Sequence, residues 1–190
     1  NAMAKKIMNN LNDVLKKFID KDKLVIGICN GCQILTNLGI VPGISRNNPD
    51  IALIENDSGI YQCRWINVKV SNNNSPWLKD IQKLHLPIAH QEGKFLIPSK
   101  ILNTIKKNNM IGLQYVKNFS KLANLEFPYN PNGSESDIAG ITDKTGKVLA
   151  MMPHPERAFY YYHVPEWQSY QNNQFADGYK LFDNAKKYFK

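Results

Sequence analysis

The sequence predicts an α/β domain, and two stretches of the chain carry this prediction. Residues 23–29, KLVIGIC, form a short and continuously apolar run, which is typical of a strand buried on both faces of a parallel sheet. The next residues, NGCQILTNLGI at 30–40, turn at once into a helical pattern. A strand, a tight turn and a helix in succession are the repeating unit of α/β proteins.

The remaining elements are read from apolar periodicity and from turn residues. Residues 6–20 place Ile7, Leu11, Val14, Leu15 and Phe18 at steps of three and four, which predicts an amphipathic helix. The other predicted elements, in chain order, are a strand at 61–70, a polar turn at 71–80 that opens a short helix at 75–76, two strand-like runs within 86–98, a helix at 99–109, a strand at 110–116, a loop at 126–137, a hairpin at 138–153 with its turn at 143–146, and a helix at 175–189.

Length, composition and cysteine content limit the classes of protein. A chain of 190 residues with 43% hydrophobic and 21% charged residues suits one globular domain, and no apolar run approaches the roughly 20 residues of a membrane span. The net charge of +8 comes from lysines scattered in pairs without interleaved aromatics, which disfavours nucleic acid. Three cysteines without a signal sequence predict a reducing cytoplasm. Asn1 and Ala2 are interpreted as a tag remnant.

Cys29 stands where the predicted strand meets the predicted helix. The run Gly27-Ile28-Cys29-Asn30-Gly31 has the form of a nucleophile elbow with cysteine as the nucleophile. Glycines on either side are expected to remove Cβ clashes, and the helix N-terminus favours a thiolate. The backbone N–H of Asn30 is then placed to stabilise an oxyanion.

Cys32 lies one turn into the same helix and has three interpretations. A small packed core residue is the first. The Cys29-x-x-Cys32 spacing also fits a redox pair or half of a metal site, although a second CxxC motif is absent from the sequence.

A cysteine nucleophile requires a base, and the chain has four histidines. His154 and Glu156 flank Pro155 in MMPHPER, 125 residues after Cys29 (154 − 29), and alternate residues of an extended segment face the same side. Glu156 can therefore orient the His154 imidazole. His90, in AHQEGKF, either lines the site or caps a strand, whereas His85 and His163 are expected at the surface or an interface.

These residues identify a family. GICNGCQ at 27–33 with MMPHPER at 151–157 resembles the class I, triad-type glutamine amidotransferases, and among them the glutaminases of phosphoribosylformylglycinamidine synthase. The segments RNN, CRW, AHQEGKF, NPNGSESDIAGI and FADGYKLF follow in family order to the C-terminus. The resemblance implies a flavodoxin-like, open and mostly parallel sheet flanked by helices. It covers a single glutaminase domain over residues 3–190.

The resemblance also implies the roles of individual residues. Cys29 would attack the side-chain amide of glutamine and form a glutamyl thioester, His154 would relay protons, and Glu156 would hold His154. Asn30 and Gln33 would help to bind glutamine, with Asn30 also serving the oxyanion.

The same resemblance implies the partners and cofactors. We also expect His90 to be one of the residues that bind the substrate. No cofactor and no metal are expected in this chain, since it has neither a glycine-rich phosphate loop nor a metal-ligand cluster. ATP and magnesium are expected on a partner synthetase, which receives the ammonia and makes formylglycinamidine ribonucleotide. A nucleic-acid or membrane partner is not expected.

The resemblance departs from its pattern ahead of Cys29. Only 26 residues, Met3 to Ile28, precede the cysteine, whereas the family places two strands and a glycine-rich loop there. The sequence therefore predicts an N-terminally truncated domain with half of its oxyanion hole and an exposed sheet edge that invites a homodimer. Gln91 also stands at a position where the family usually has a glycine. The alternatives are a docking module that resembles a glutaminase, and a glutaminase of another class I pathway.

Overall fold

The structure is a computed structural model, and it describes residues 6, 12–45, 48–71, 74–118, 120–169 and 174–190. Four helices are described: α1 (Asn12–Asp20), α2 (Asn30–Asn37), α3 (Ser99–Lys107) and α4 (Tyr179–Tyr188). The strands are β1 (Val25–Ile28), β2 (Ala52–Glu55), β3 (Gln62–Val70), β4 (Lys83–His90), β5 (Glu92–Leu96), β6 (Ile111–Lys117), β7 (Lys121–Leu122), β8 (Ile138–Thr142) and β9 (Val148–Met151). The interpretation of Asn1 and Ala2 falls outside the described residues.

Every predicted strand and helix has a counterpart among these elements. The turn at 71–80 does open a short 3₁₀ helix, Pro76–Leu78, and the predicted loop at 126–137 is irregular until a 3₁₀ turn at Glu135–Asp137. The sequence analysis missed β2 and β7. Both are short, and neither shows a long run of alternating polarity that would mark a strand.

The main sheet has the order β1-β9-β8-β6-β3-β4, and β7 adds to β6. β1 and β9 pair in parallel, whereas all other pairs among the described strands are antiparallel. The α/β class is confirmed, but the prediction of a mostly parallel sheet is wrong for the described strands. Short connections are the reason: the turn at 143–146 links β8 to β9, whereas parallel neighbours need a long crossover.

Helix α2 packs on the strands that carry the site. Its buried residues Cys32 and Leu35 belong to a core cluster that also contains Val148 and Ala150 of β9. A second cluster, which includes Leu84, Leu86 and Leu113, fills the other side of the molecule. The burial of both clusters fixes the position of the strand ends around which the site is built.

Helix α1 is amphipathic, but its buried face differs from the prediction. Leu15 and Ile19 pack against the cluster that contains Cys32, whereas Val14 is 62% exposed and Phe18 is 46% exposed. The two packed residues are four apart and therefore share one face of the helix. The sequence pattern also places Ile7 and Leu11 on this apolar face, but both lie outside the described residues.

The sheet curls so that its two ends approach each other. β1 and β4 stand at opposite ends of the strand order. Nevertheless, the Cys29 Sγ after β1 lies 3.7 Å from the Ala89 carbonyl oxygen on β4, and the His154 N–H after β9 donates to the Pro87 carbonyl at 2.8 Å. This curl, an accumulation of strand twist, brings the predicted site residues together. No helix within the described ranges is long and apolar enough to cross a membrane.

Candidate active site

Cys29 occupies a strained turn between β1 and α2. Its backbone has φ 51° and ψ −106°, in the left-handed half of the map that residues other than glycine rarely adopt. The Cys29 N–H donates to the Met151 carbonyl at 2.9 Å, which fixes the turn to β9. A non-glycine residue held in a rare conformation at the mouth of a helix is the geometry that a nucleophile elbow requires.

The two glycines beside Cys29 differ in function. A Cβ on Gly27 would lie 2.5 Å from Leu35 Cδ1 and 2.6 Å from the Gly31 carbonyl oxygen, so only glycine allows α2 to pack this closely on β1. A Cβ on Gly31, in contrast, would meet no atom within 4 Å in the described part of the chain. The expected clash is therefore confirmed for Gly27 and wrong for Gly31.

His154 and Glu156 form the predicted pair. Their side chains meet with Nδ1 of His154 2.5 Å from Oε1 of Glu156, in the 3₁₀ turn that follows β9. His154 is buried, and Glu156 is partly exposed. A carboxylate at this distance holds the imidazole with its Nδ1 as the donor and directs Nε2 away from Glu156.

The charge state of His154 reflects its burial and two neighbouring side chains. Burial alone would lower the pKa of His154, but the interactions of the imidazole with Cys29 and with the Glu156 carboxylate outweigh burial and raise this pKa to about 9. For Glu156 the directions are reversed. Burial would raise the pKa of this carboxyl group, but the hydrogen bond to His154 lowers it. His154 Nε2 has no hydrogen-bond partner of ordinary geometry among the described residues, although the nearby Cys29 side chain still raises the pKa of His154.

His90 is the second buried histidine of the site. It is the last residue of β4 and is 4% exposed, and Asn56 Oδ1 lies 3.1 Å from its Nδ1. Burial, followed by repulsion from His154, lowers the pKa of His90 to about 4. His90 is therefore neutral at physiological pH, whereas His154 is charged. The prediction that His90 lines the site is consistent with this closeness to His154.

Asn30 and Gln33 lie on the first turn of α2. Asn30 is exposed at the start of the helix, beside Cys29. The Gln33 side chain donates through Nε2 to the Glu92 carbonyl oxygen at 2.8 Å and so connects α2 to β5. The structure thus brings Asn30 next to Cys29, while the amide nitrogen of Gln33 is already bonded to the protein.

Cys32 is a packed core residue, as the first interpretation has it. It is fully buried, and burial raises the pKa of its thiol well above the ordinary value. Cys29, Cys32 and Cys63 are all free thiols. No group of three or more His, Cys, Asp and Glu side chains suited to a metal ion is found across the described segments.

The other two histidines lie apart from this cluster. His85 stacks on Trp65 at 5.0 Å between ring centroids, and its Nδ1 lies 2.7 Å from Asn67 Oδ1. His163 is exposed. The surface position is confirmed for His163, whereas His85 is half-buried against Trp65.

Asn56 and Gly93 are residues of the site region that the sequence analysis missed. Asn56 is 3% exposed and supports the turn between β4 and β5. A Cβ on Gly93 would lie 2.2 Å from Cε1 of His90, so the absence of a side chain there makes room for the imidazole. Gly93 could have been suspected, because a glycine inside a strand pattern often marks a close approach; a single asparagine in a loop gives no such signal.

The chain is similar to known proteins along its whole length. Residues 1–189 match the family described as CobB/CobQ-like glutamine amidotransferase domain. The chain is 41% identical over 201 aligned residues to the phosphoribosylformylglycinamidine synthase subunit PurQ of Methanococcus maripaludis, covering 100% of this chain and 75% of that protein. It is 36% identical to PurQ of Dehalococcoides mccartyi, covering 98% of this chain and 72% of that protein.

A solved structure agrees with these relatives. The chain superimposes on a chain of the PurLQS structure from Thermotoga maritima with a TM-score of 0.64 and 30% identity, covering 95% of this chain and 68% of that chain. The chain therefore belongs to the glutamine amidotransferase family. Within this family, the proteins to which it is similar are PurQ subunits of phosphoribosylformylglycinamidine synthase.

Proposed function

We propose that this chain hydrolyses glutamine to glutamate and ammonia as the glutaminase of a phosphoribosylformylglycinamidine synthase. The observation that carries this proposal is the cysteine elbow placed against a buried His154 that Glu156 holds at 2.5 Å. A thiol nucleophile, an imidazole and an orienting carboxylate are the parts that acyl transfer from an amide requires. The 41% identity to a PurQ subunit gives the pathway.

The first half of the reaction uses the charged state of His154. In this state the imidazole already holds the proton that it shares with Cys29, and the sulfur attacks the carboxamide carbon of glutamine as a thiolate. The negative charge that develops on the carboxamide oxygen is stabilised by the backbone N–H of Asn30. The C–N bond then breaks as the His154 imidazolium gives its proton to the leaving nitrogen, which departs as ammonia. A His154 pKa of about 9 keeps that proton available at neutral pH.

The second half restores the enzyme. His154, now neutral, accepts a proton from water, whose oxygen attacks the thioester carbon. The C–S bond breaks and glutamate leaves, so that the Cys29 thiolate again lies beside the His154 imidazolium. Glu156 keeps Nδ1 of His154 as the donor throughout, so that Nε2 faces the reacting atoms in both halves.

The ammonia is proposed to pass to a synthetase subunit or domain. There it would convert formylglycinamide ribonucleotide into formylglycinamidine ribonucleotide, with ATP and magnesium held by the synthetase. The three free thiols suit a reducing cytoplasm. We also propose a homodimer through the edge of the sheet at β1, which sedimentation of the isolated chain would test.

Glutamate release from glutamine, measured with and without the synthetase, tests the proposal. We expect the wild-type chain to produce glutamate and the Cys29→Ser variant to produce none. Cys63→Ser is the matched control, since Cys63 is an exposed free thiol on β3 without a proposed role in the reaction, and it should retain most of the activity. The proposal fails if the wild type releases no Cys29-dependent glutamate under either condition.

Covalent labelling separates a glutaminase from a docking module. A diazo-ketone analogue of glutamine should alkylate Cys29 in the wild type, and mass spectrometry of the digested protein would locate the adduct. A docking module without a competent site would leave Cys29 unmodified. Complementation of a purine auxotroph separates the proposed pathway from other amidotransferase pathways.

A further inference from the structure

Asn56 and His90 form a second hydrogen-bonded pair at the site, and the structure determines which atom of the pair donates and which accepts. Nδ2 of Asn56 lies 3.0 Å from the Ile60 carbonyl oxygen and 3.0 Å from the His90 carbonyl oxygen. Carbonyl oxygens only accept hydrogen bonds, so the atom facing both of them must be the amide nitrogen. This fixes the Asn56 amide, and Oδ1 is the atom that faces Nδ1 of His90.

The fixed amide determines the tautomer of His90. Because Asn56 Oδ1 can only accept, Nδ1 of His90 must carry the hydrogen at this 3.1 Å contact. A neutral imidazole has one N–H, so Nε2 of His90 carries a lone pair. Its low pKa, caused by burial and by the nearby charge of His154, keeps the ring neutral.

The Nε2 atom of His90 is buried and has no partner among the described residues. An unsatisfied buried acceptor destabilises the fold, and such atoms are rare in folded proteins. The ring cannot easily turn away, since it packs over Gly93 and is bonded to Asn56. The protein thus holds a buried acceptor without a partner among the described residues, close enough to the charged His154 for that charge to lower the pKa of His90.

We propose that Asn56 is a positioning residue which holds His90 with its Nε2 lone pair toward the substrate, where it accepts an N–H of the glutamine carboxamide. This inference rests on the proposed glutaminase function. The carboxamide nitrogen carries hydrogens in glutamine and in the departing ammonia, whereas the product glutamate presents only acceptor oxygens. A lone pair at His90 therefore favours the amide over the acid and helps glutamate to leave.

The variant Asn56→Asp tests this assignment of donor and acceptor with little change in the shape of the side chain. The aspartate still accepts from Nδ1 but cannot donate to the Ile60 and His90 carbonyls, and its charge favours a second proton on His90 at Nε2. Nε2 then becomes a donor. We expect the preference of the Cys29→Ser background for glutamine over glutamate, measured by calorimetry, to fall on the order of tenfold.

A second variant removes the acceptor and keeps the positioning bond. The shorter side chain of His90→Asn places an amide N–H near the position of Nδ1, where it can still reach Asn56, but no atom at the position of Nε2. It should also lower the preference for glutamine. Asn67→Asp is the matched control, because Asn67 makes the same kind of contact with Nδ1 of His85, at 2.7 Å, away from Cys29. It should leave the preference unchanged.

The tautomer itself can be observed without any activity. Long-range ¹H–¹⁵N correlation spectra of protein labelled at histidine nitrogen should show His90 neutral with its hydrogen on Nδ1, and protonated at both nitrogens in Asn56→Asp. A hydrogen on Nε2 in the wild type would overturn the inference. So would an unchanged glutamine preference of both variants in the Cys29→Ser background. A wild type without glutaminase activity would instead contradict the proposed function.

Discussion

Replacing Glu156 by Gln removes one charge from the His154 pair and keeps the shape of the side chain. In the wild type, the pKa of His154 is raised from 6.5 to about 9. This difference corresponds to roughly 3.4 kcal/mol in favour of the imidazolium, at about 1.36 kcal/mol per pKa unit. Solvent screens these interactions little, because the His154 side chain is only 9% exposed.

The contribution of Glu156 to the stabilisation of the His154 imidazolium determines how much the Glu156→Gln substitution should change the pKa and the rate. Cys29 and Glu156 both raise the pKa, and burial opposes them. If the two contribute about equally, the carboxylate accounts for at least about 1.7 kcal/mol. Its loss should lower the pKa of His154 below about 8, so that the protonated fraction at pH 9 falls from about one half to about one twentieth and the rate of glutamine hydrolysis at that pH falls by a factor of roughly 10. A glutamine amide that turns its NH₂ toward Nδ1 would lower the rate further, because it favours the wrong tautomer.

Two measurements test this reasoning. The ring protons of His154, followed by NMR titration, give its pKa directly, and glutamate release between pH 6 and 10 gives the activity profile. We expect the loss of activity at alkaline pH to begin about one pH unit lower in Glu156→Gln than in the wild type. Glu166→Gln is the control, since Glu166 lies 4.0 Å from the remote His85. An unchanged His154 pKa in Glu156→Gln would refute the argument.

The same pair links stability to pH. A group whose pKa is higher in the folded state stabilises the fold below its unfolded pKa and loses this contribution as the pH rises through its folded pKa. For His154 the contribution is complete below pH 6.5 and disappears through about pH 9. Denaturant unfolding of the wild type should therefore show a decline in stability over this window, and Glu156→Gln should show a smaller one.

Three further substitutions test the packing around the site. Gly27→Ala should destabilise the protein by about 1–3 kcal/mol in urea unfolding, because its Cβ would meet Leu35 at 2.5 Å; unchanged stability would contradict the packing argument. Cys32→Ala should lower the melting temperature by a few degrees, as a small core cavity does, yet leave glutamine hydrolysis within about twofold of the wild type; loss of activity would indicate a chemical role for Cys32. Gly93→Ala should displace the His90 ring, which its Cβ would meet at 2.2 Å, and raise KM for glutamine; a wild-type KM would count against a role for His90 in binding.

The elbow and its distal partners could be predicted from sequence because each is encoded locally. Gly27 and Cys29 lie within three residues of each other, and His154 and Glu156 are separated by a proline that constrains the backbone. The direction of strand pairing could not be predicted from the apolar run of β1. A run of this kind indicates burial on both faces, and the strands that cover those faces come from distant parts of the chain.

Asn56 shows a different limit of the sequence. It follows β2, a four-residue strand that the apolar pattern did not predict, and its partner His90 is 34 residues further along the chain. Its function depends on which carbonyl oxygens surround the amide, and only the folded backbone determines this. The exposure of Val14 and Phe18 has a similar cause, since the face that α1 buries depends on the surface that receives it.

The curl of the sheet has a consequence for folding. Cys29, His90 and His154 come from three strands that are far apart in sequence, and their contacts close only when β4 approaches the end of β9. Contacts of such high sequence separation form late, since the chain must first lose the entropy of long loops. Reaction of Cys29 with a glutamine analogue during refolding is therefore expected to report when these long-range contacts have formed, and a chain in which they have not formed is expected to lack an active nucleophile.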